Sequence, residues 1–365
     1  MLTKILGIGT ALPHLSISQA DSCAHALEVN FGNENKAQVL QSLYRRTTIE
    51  RRSLVMAKPY GAVQSIDADF YPPSESPTTA ARMERYNIEI APLSRRSCEE
   101  ALAAAQVDAR EITHLVTASC TGFAAPGFDL QLIKKLSLSP STYRTHIGFM
   151  GCHGALNALR TAHAFCTDEK AVVLVCAAEI CSMHFQYSQS AQAAVSNALF
   201  ADGAAAVVLK SCQPDAQDCA NKSEPSYAHS KSFVIADSED AMTWQIGDNG
   251  FLMTLSPTVP ALIEEHLPDF IHQWLADNQL KIDSIKSWAV HPGGPRILDA
   301  VQSCLNLPPE ILTISRQVLA QCGNMSSPTV LFILQRILAQ AEGDMLPCVM
   351  LAFGPGLTIE AALII

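Results

Sequence analysis

Short runs of β-branched and small apolar residues alternate along the chain with longer stretches whose apolar positions recur every three or four residues. The short runs predict strands over Lys4–Ile8, Thr113–Ser119, Arg144–Gly148, Val172–Ala178, Ala204–Leu209, Ser287–Val290, Cys348–Ala352 and Leu357–Ile364. The helical period predicts helices over Thr79–Gln106, Asp129–Leu136, Ala155–Phe165, Val259–Asn278, Arg296–Cys304 and Pro328–Ala341. Strands and helices in alternation imply a layered α/β architecture. The polar stretch SCQPDAQDCANKSEPSYAHSK (211–231) reads as a linker, dividing the chain into 1–210 and 211–365. Residues 55–77, with several prolines and little periodicity, read as a surface excursion.

A repeat runs across that division. THLVTASCTGFAAPGFDLQLIKKL and KSWAVHPGGPRILDAVQSCL are both strand, glycine-proline turn and helix. GCHGALNALR then has a counterpart in GNMSSPTVLFILQR, and the spacings agree: 32 residues from Cys120 to Cys152, 33 from His291 to Asn324. Matching punctuation predicts a duplicated unit whose equivalent turns converge on one site.

Composition narrows the partners. With 365 residues and 48% hydrophobic positions, the chain exceeds one simple core. A net charge of −10 argues against nucleic acid or an anionic membrane as the main partner. No apolar run reaches the ~18 residues of a membrane span, and MLTKILGIGTALPH reads as a strand and turn rather than a secretory signal. The twelve cysteines lie within apolar runs and form no CxxC pair. That usage fits a reducing cytoplasm and argues against a zinc site.

Three residues stand out as chemistry. Cys152 sits between glycines where a strand turns into a helix, and the unpaired N–H groups of a helix start favour thiolate. The competing reading is a buried structural thiol. His291 follows an apolar strand and precedes Pro-Gly-Gly, a place where a hydrogen-bonded structural histidine is also common. Asn324 in CGNMSSP is either an amide donor or an ordinary helix N-cap. Together, on equivalent loop tips, they supply a nucleophile, an imidazole and an amide.

The motifs GFMGCHGAL, ALFADGAAAVVL, WAVHPGGPRILD, CGNMSSPTVLFIL and AFGPGLTIE, in this order and spacing, resemble the type III polyketide synthases. These are the chalcone-synthase-like branch of the thiolase superfamily. The resemblance implies a thiolase-like fold of two duplicated αβαβα halves forming a five-layered core, and a homodimer. It implies that Cys152 carries the acyl chain, that His291 and Asn324 complete the catalytic triad, and that Phe200 is one of two gating residues. The loop AFGPG, with Gly354 and Pro355, would shape the cavity wall. Acyl-CoA and malonyl-CoA would be substrates, and no cofactor would be needed. The basic stretch YRRTTIERRS would face coenzyme A phosphates, with Arg51 and Arg52 the closest matches and Arg45 and Arg46 weaker ones. A solvated helix face is the alternative for these arginines.

Several positions depart from the plant-type pattern and resemble bacterial members. Cys120 and His184 each stand where plant enzymes have threonine, Met253 takes the second gate position, Trp244 lies near a usual glycine, and Ala125 replaces a methionine. An unbranched Met253 can yield to an alkyl chain, and Ala125 and Gly354 add little bulk. Trp244 and His184 fill the opposite side. A fatty acyl-CoA starter with few extensions, giving small pyrone or resorcinol-type products, satisfies both trends. The alternatives are an aromatic or malonyl starter, a ketoacyl synthase III-like condensing enzyme, and a non-catalytic scaffold.

Overall fold

The apolar runs fold as strands buried on both faces, as runs without alternation require. The computed structural model describes residues 2–30, 34–60, 63–188, 190–212, 224–340 and 345–365. The chain opens with strand β1 (Leu2–Ala11), a short β2 (Ser16–Ser18) and helices α1 (Gln19–Asn30) and α2 (Glu34–Arg46). Strand β3 (Arg51–Ser53) pairs with β2, and a hairpin of β4 (Ala57–Tyr60) and β5 (Val63–Ile66) precedes the long helix α3 (Thr79–Ala105). Next come β6 (His114–Ser119), α4 (Phe128–Lys135), β7 (Tyr143–Gly148), α5 (Gly154–Phe165), β8 (Val172–Ile180), α6 (Ala191–Leu199) and β9 (Asp202–Cys212). The remainder holds β10 (Ser226–Val234), the hairpin β11 (Met242–Gly247) and β12 (Gly250–Leu255), α7 (Val259–Asp277), β13 (Ser287–Val290) and α8 (Pro295–Cys304). Helices α9 (Thr313–Cys322) and α10 (Thr329–Leu338) and strands β14 (Cys348–Gly354) and β15 (Thr358–Ile364) complete it.

Nine strands form one sheet in the order β13-β14-β15-β10-β1-β9-β8-β6-β7. Its two parts repeat each other. From β7 inward, β6 is parallel to both its neighbours, and antiparallel steps follow to β9 and β1. From β13 inward, β14 is parallel, and antiparallel steps follow to β15 and β10. Thus β6, β8, β9 and β1 correspond to β13, β14, β15 and β10. The seam is short, with Thr3 opposite Tyr227 and Lys4 opposite Ser226.

Side-chain alternation builds the layers. On β14, Cys348, Met350 and Ala352 enter the core shared with the first half, while Val349, Leu351 and Phe353 pack with α7 and α8. Helix α3 covers β1, β8 and β9 on the outside, and α5 and α10 each touch strands of both halves. The result is five layers: outer helix, one part of the sheet, the α5 and α10 pair, the other part of the same sheet, and outer helices.

Three expectations need correction. The stretch 211–231 is not linker throughout: β9 continues to Cys212, 213–223 lie outside the described residues, and the polar SYAHSK is the start of β10. Residues 55–77 are not merely superficial either. Met56 and Tyr71 are fully buried, and the Tyr71 hydroxyl donates to Ser182 O at 2.8 Å. The predicted last helix ends at Leu338, with residue 341 outside the described set.

Candidate active site

The turn after β7 brings Cys152 to the start of α5. Gly151 adopts φ +64°, and a Cβ there would lie 2.5 Å from Pro355 Cδ, so conformation and space both require glycine. Residues Gly151–His153 make one tight turn before α5 begins. Cys152 is half-buried. Burial pushes its thiol up to about 12, while the Ser326 hydroxyl and the Asn324 amide pull it back. Desolvation thus opposes the thiolate that the helix start alone predicts.

His291 follows β13 directly, its N–H donating to Leu351 O of the neighbouring strand at 2.8 Å. The side chain is 1% exposed, yet neither Nδ1 nor Nε2 has a hydrogen-bond partner among the described residues. Burial first, and then the charge of His153, push this imidazole down to about 3, so it stays neutral with one N–H to donate. Asn324 is anchored through its backbone: its N–H donates to Leu199 O at 3.0 Å, and its carbonyl accepts from Ala201 N at 2.8 Å. Its Oδ1 accepts from Ser326 N at 2.8 Å. That bond fixes the amide orientation and leaves the NH2 as the free donor.

Cys152, His291 and Asn324 line one cavity together with Phe200 and Met253. A second cavity is lined by Cys152, Cys120, Trp244, Phe200, Met253 and Pro355. Cys152, Phe200, Met242 and Met253 belong to both, and so form the partition between them. Trp244 is fixed there by an Nε1–H bond to Cys120 O at 2.7 Å.

Other expected residues lie elsewhere. His184 lines neither cavity. Its Nε2–H donates to Thr121 O at 2.7 Å, its Nδ1 accepts from Phe251 N at 3.0 Å, and its ring stacks on Phe251 behind Trp244. Burial pushes it down to about 3, which keeps the accepting nitrogen bare. Gly354 opens no room in the cavity, because a Cβ there would come within 2.2 Å of His153 Cδ2. The His153 ring already fills that space. Arg51 is exposed on β3, but Arg52 is only 3% exposed and donates to Asn197 O, Phe200 O and Ser22 Oγ. It is not free to meet a phosphate. Arg45 and Arg46 are exposed.

Glu179 escaped the sequence reading, although a carboxylate closing VVLVCAAEI is its own signal. Fully buried on β8, its Oε2 accepts from Cys120 N, Thr121 N and Thr121 Oγ1 at 2.9, 3.1 and 2.7 Å, and its Oε1 from Ser327 Oγ at 2.6 Å. One side chain thereby ties the Cys120 turn of the first half to the Ser327 turn of the second. Burial raises its pKa, and the donors offset that in part. Met242 and Ser326, also beside Cys152, carried no comparable signal.

Comparison with known proteins agrees with this geometry. The family models for the N-terminal and C-terminal domains of chalcone and stilbene synthases match residues 2–213 and 227–365. The chain is 33% identical to an alpha-pyrone synthesis polyketide synthase-like protein of Mycobacterium tuberculosis, over 98% of this chain and 90% of that one. It is 33% identical to a 1,3,6,8-tetrahydroxynaphthalene synthase of Streptomyces peucetius, over 74% of this chain and 72% of that one. Among solved structures, PKS-I from the brown alga Ectocarpus siliculosus superposes with a TM-score of 0.91 at 29% identity, covering 100% of this chain and 98% of the other.

Proposed function

The chain belongs to the chalcone and stilbene synthase family of type III polyketide synthases, and from that premise we propose that it is an acyltransferase that extends a Cys152-bound acyl starter by decarboxylative condensation with malonyl-CoA. The observation that carries this reading is His291. A buried imidazole with both nitrogens unpartnered is costly unless a substrate completes it, and it shares a cavity with Cys152 and Asn324.

The steps use only side chains of this chain. The Cys152 sulfur attacks an acyl-CoA thioester, its proton passes to His291 and on to the departing coenzyme A thiolate. Malonyl-CoA then loses carbon dioxide, the C–C bonding pair becomes the C=C bond of the enolate, and the carbonyl pair moves onto the thioester oxygen. The His291 N–H and the Asn324 NH2, which share the cavity with Cys152, are the donors that would meet that charge. The enolate carbon attacks the Cys152 thioester and expels the sulfur as thiolate, which then attacks the longer coenzyme A thioester, releases coenzyme A and recaptures the chain for another round. Cyclisation or hydrolysis releases it. No cofactor enters this cycle, with coenzyme A thioesters as the only substrates. Exposed Arg51, Arg45 and Arg46 are the arginines offered to their phosphates. The two halves, 1–210 and 211–365, contribute the cysteine and the His-Asn pair respectively.

For the starter we favour a fatty acyl-CoA with few extensions, giving pyrone or resorcinol-type products. Met253 on the partition can yield to an alkyl chain, and the fixed Trp244 limits growth on the other side. A rival reading, an aromatic or malonyl starter, draws on the naphthalene-synthase relative. Product mass spectra and kcat/KM for medium- and long-chain acyl-CoA against hydroxycinnamoyl-CoA and malonyl-CoA alone decide between them. If the fatty substrates lose by about tenfold, or ~1.4 kcal/mol, the starter assignment falls and the Cys152 chemistry stands.

We expect a homodimer. Strand β7 forms an open edge of the main sheet, and Tyr143, Phe123 and Met150 are 70%, 51% and 42% exposed. An unpaired edge with such side chains suits an isologous contact. Sedimentation should show a dimer at micromolar concentration; monomer alone contradicts it.

A further inference from the structure

A buried guanidinium is expensive unless its donors find partners, and among the described residues no carboxylate is bonded to Arg52. Asp202, whose field reaches it, spends its oxygens on Val55 N, Ser182 N and Ser182 Oγ. Arg52 instead donates from one terminal nitrogen to Asn197 O at 2.7 Å and Phe200 O at 2.6 Å, and from the other to Ser22 Oγ. Those carbonyls end helix α6, where backbone acceptors lack intrahelical partners and the helix carries partial negative charge.

The gripped segment also holds the site. Asn324 N donates to Leu199 O, Ala201 N donates to Asn324 O, and Phe200 and Asn324 form an isolated parallel bridge. Leu199–Ala201 is therefore bonded to Arg52 on one side and to Asn324 on the other. A second contact closes the arrangement. At Gly323, with φ +76°, a Cβ would lie 2.8 Å from Arg52 Cγ and 2.9 Å from Ala201 Cβ, so the arginine stem packs directly on the residue preceding Asn324.

We propose that Arg52 is a positioning residue for decarboxylation and condensation: a buried cation that fixes Leu199–Ala201 and, through it, the Phe200 gate and the Asn324 amide. The proposal rests on the function proposed above. Its distinguishing feature is selectivity. Cys152 and His291 stand on other elements, the start of α5 and the end of β13, so acyl loading does not depend on Arg52 whereas enolate formation does.

The test separates the two half-reactions in Arg52→Lys, whose compact ammonium cannot reproduce the forked contacts. Intact mass reads acyl loading on Cys152, and carbon dioxide release reads malonyl-CoA decarboxylation. We expect loading within about twofold of wild type, KM for malonyl-CoA unchanged, and decarboxylation slower by on the order of 10²-fold, the scale of a small misplacement of catalytic groups. Ser22→Ala removes one anchor while keeping the charge. It should shift the same ratio less, and it carries the test alone if Arg52→Lys does not fold. A raised KM with unchanged turnover would instead assign Arg52 to the coenzyme A phosphates. Equal loss of both half-reactions, or wild-type rates in both, also overturns the proposal. Absence of loading on wild-type Cys152 is a different failure, that of the functional reading itself.

Discussion

Cys152→Ala is expected to eliminate acyl loading and all product formation. Two other thiols, Cys120 and Cys181, line the same second cavity, so the result is not trivial. Burial raises both well above the ordinary thiol range, as it also raises Cys152, and all three lie in the field of Glu179, so partners rather than acidity single out the nucleophile. Neither lines the cavity that contains His291 and Asn324, so neither has His291 beside it as a base to take its proton. Intact-protein mass after incubation with an acyl-CoA should show one adduct on wild type and none on the variant. An adduct that persists and maps to Cys120 sinks the assignment of the nucleophile.

Asn324→Ala and His291→Ala are expected to lower malonyl-CoA decarboxylation by on the order of 10²–10³ each, the usual cost of one oxyanion donor. Affinity for malonyl-CoA should change far less, because these donors meet charge that exists only in the transition state. The Asn324 side chain bonds Ser326 N and acts on the Cys152 thiol, while the bonds that anchor the residue to the fold are backbone. Truncation therefore removes a donor and leaves the segment in place. Wild-type carbon dioxide release in either variant would remove that residue from the mechanism.

What could be read from the sequence follows a physical division. Cys152 and His291 each follow a strand and Asn324 follows helix α9, all with glycine within a few residues, so local spacing placed them. The strands of the duplicated halves were legible for the same reason: their apolar runs are uninterrupted and end in turn residues. Arg52 and Gly354 were misread because their surroundings come from far along the chain. Arg52 meets carbonyls 145 and 148 residues away, and the space at Gly354 belongs to His153. No local pattern distinguishes such an arginine from a solvated one. Strand β10 was missed because its polar side chains hide a buried backbone. The β11–β12 hairpin was missed although GDNG offered a turn signal.

The placement of β1 has a cost in time. The first strand pairs with β9, Leu2 opposite Cys212, and on its other edge only with β10. At ~5–20 residues per second of synthesis, about 10–40 s pass between the appearance of β1 and that of its partner. Helix α3 can cover one face sooner, since it ends at Ala105 and packs along β1, but the strand's hydrogen-bonding edges stay open throughout. A nascent chain with two unpaired edges is prone to wrong pairing with neighbours on the same message. Slowed translation should therefore harm the yield of soluble enzyme, whereas a holdase acting on the first hundred residues should improve it.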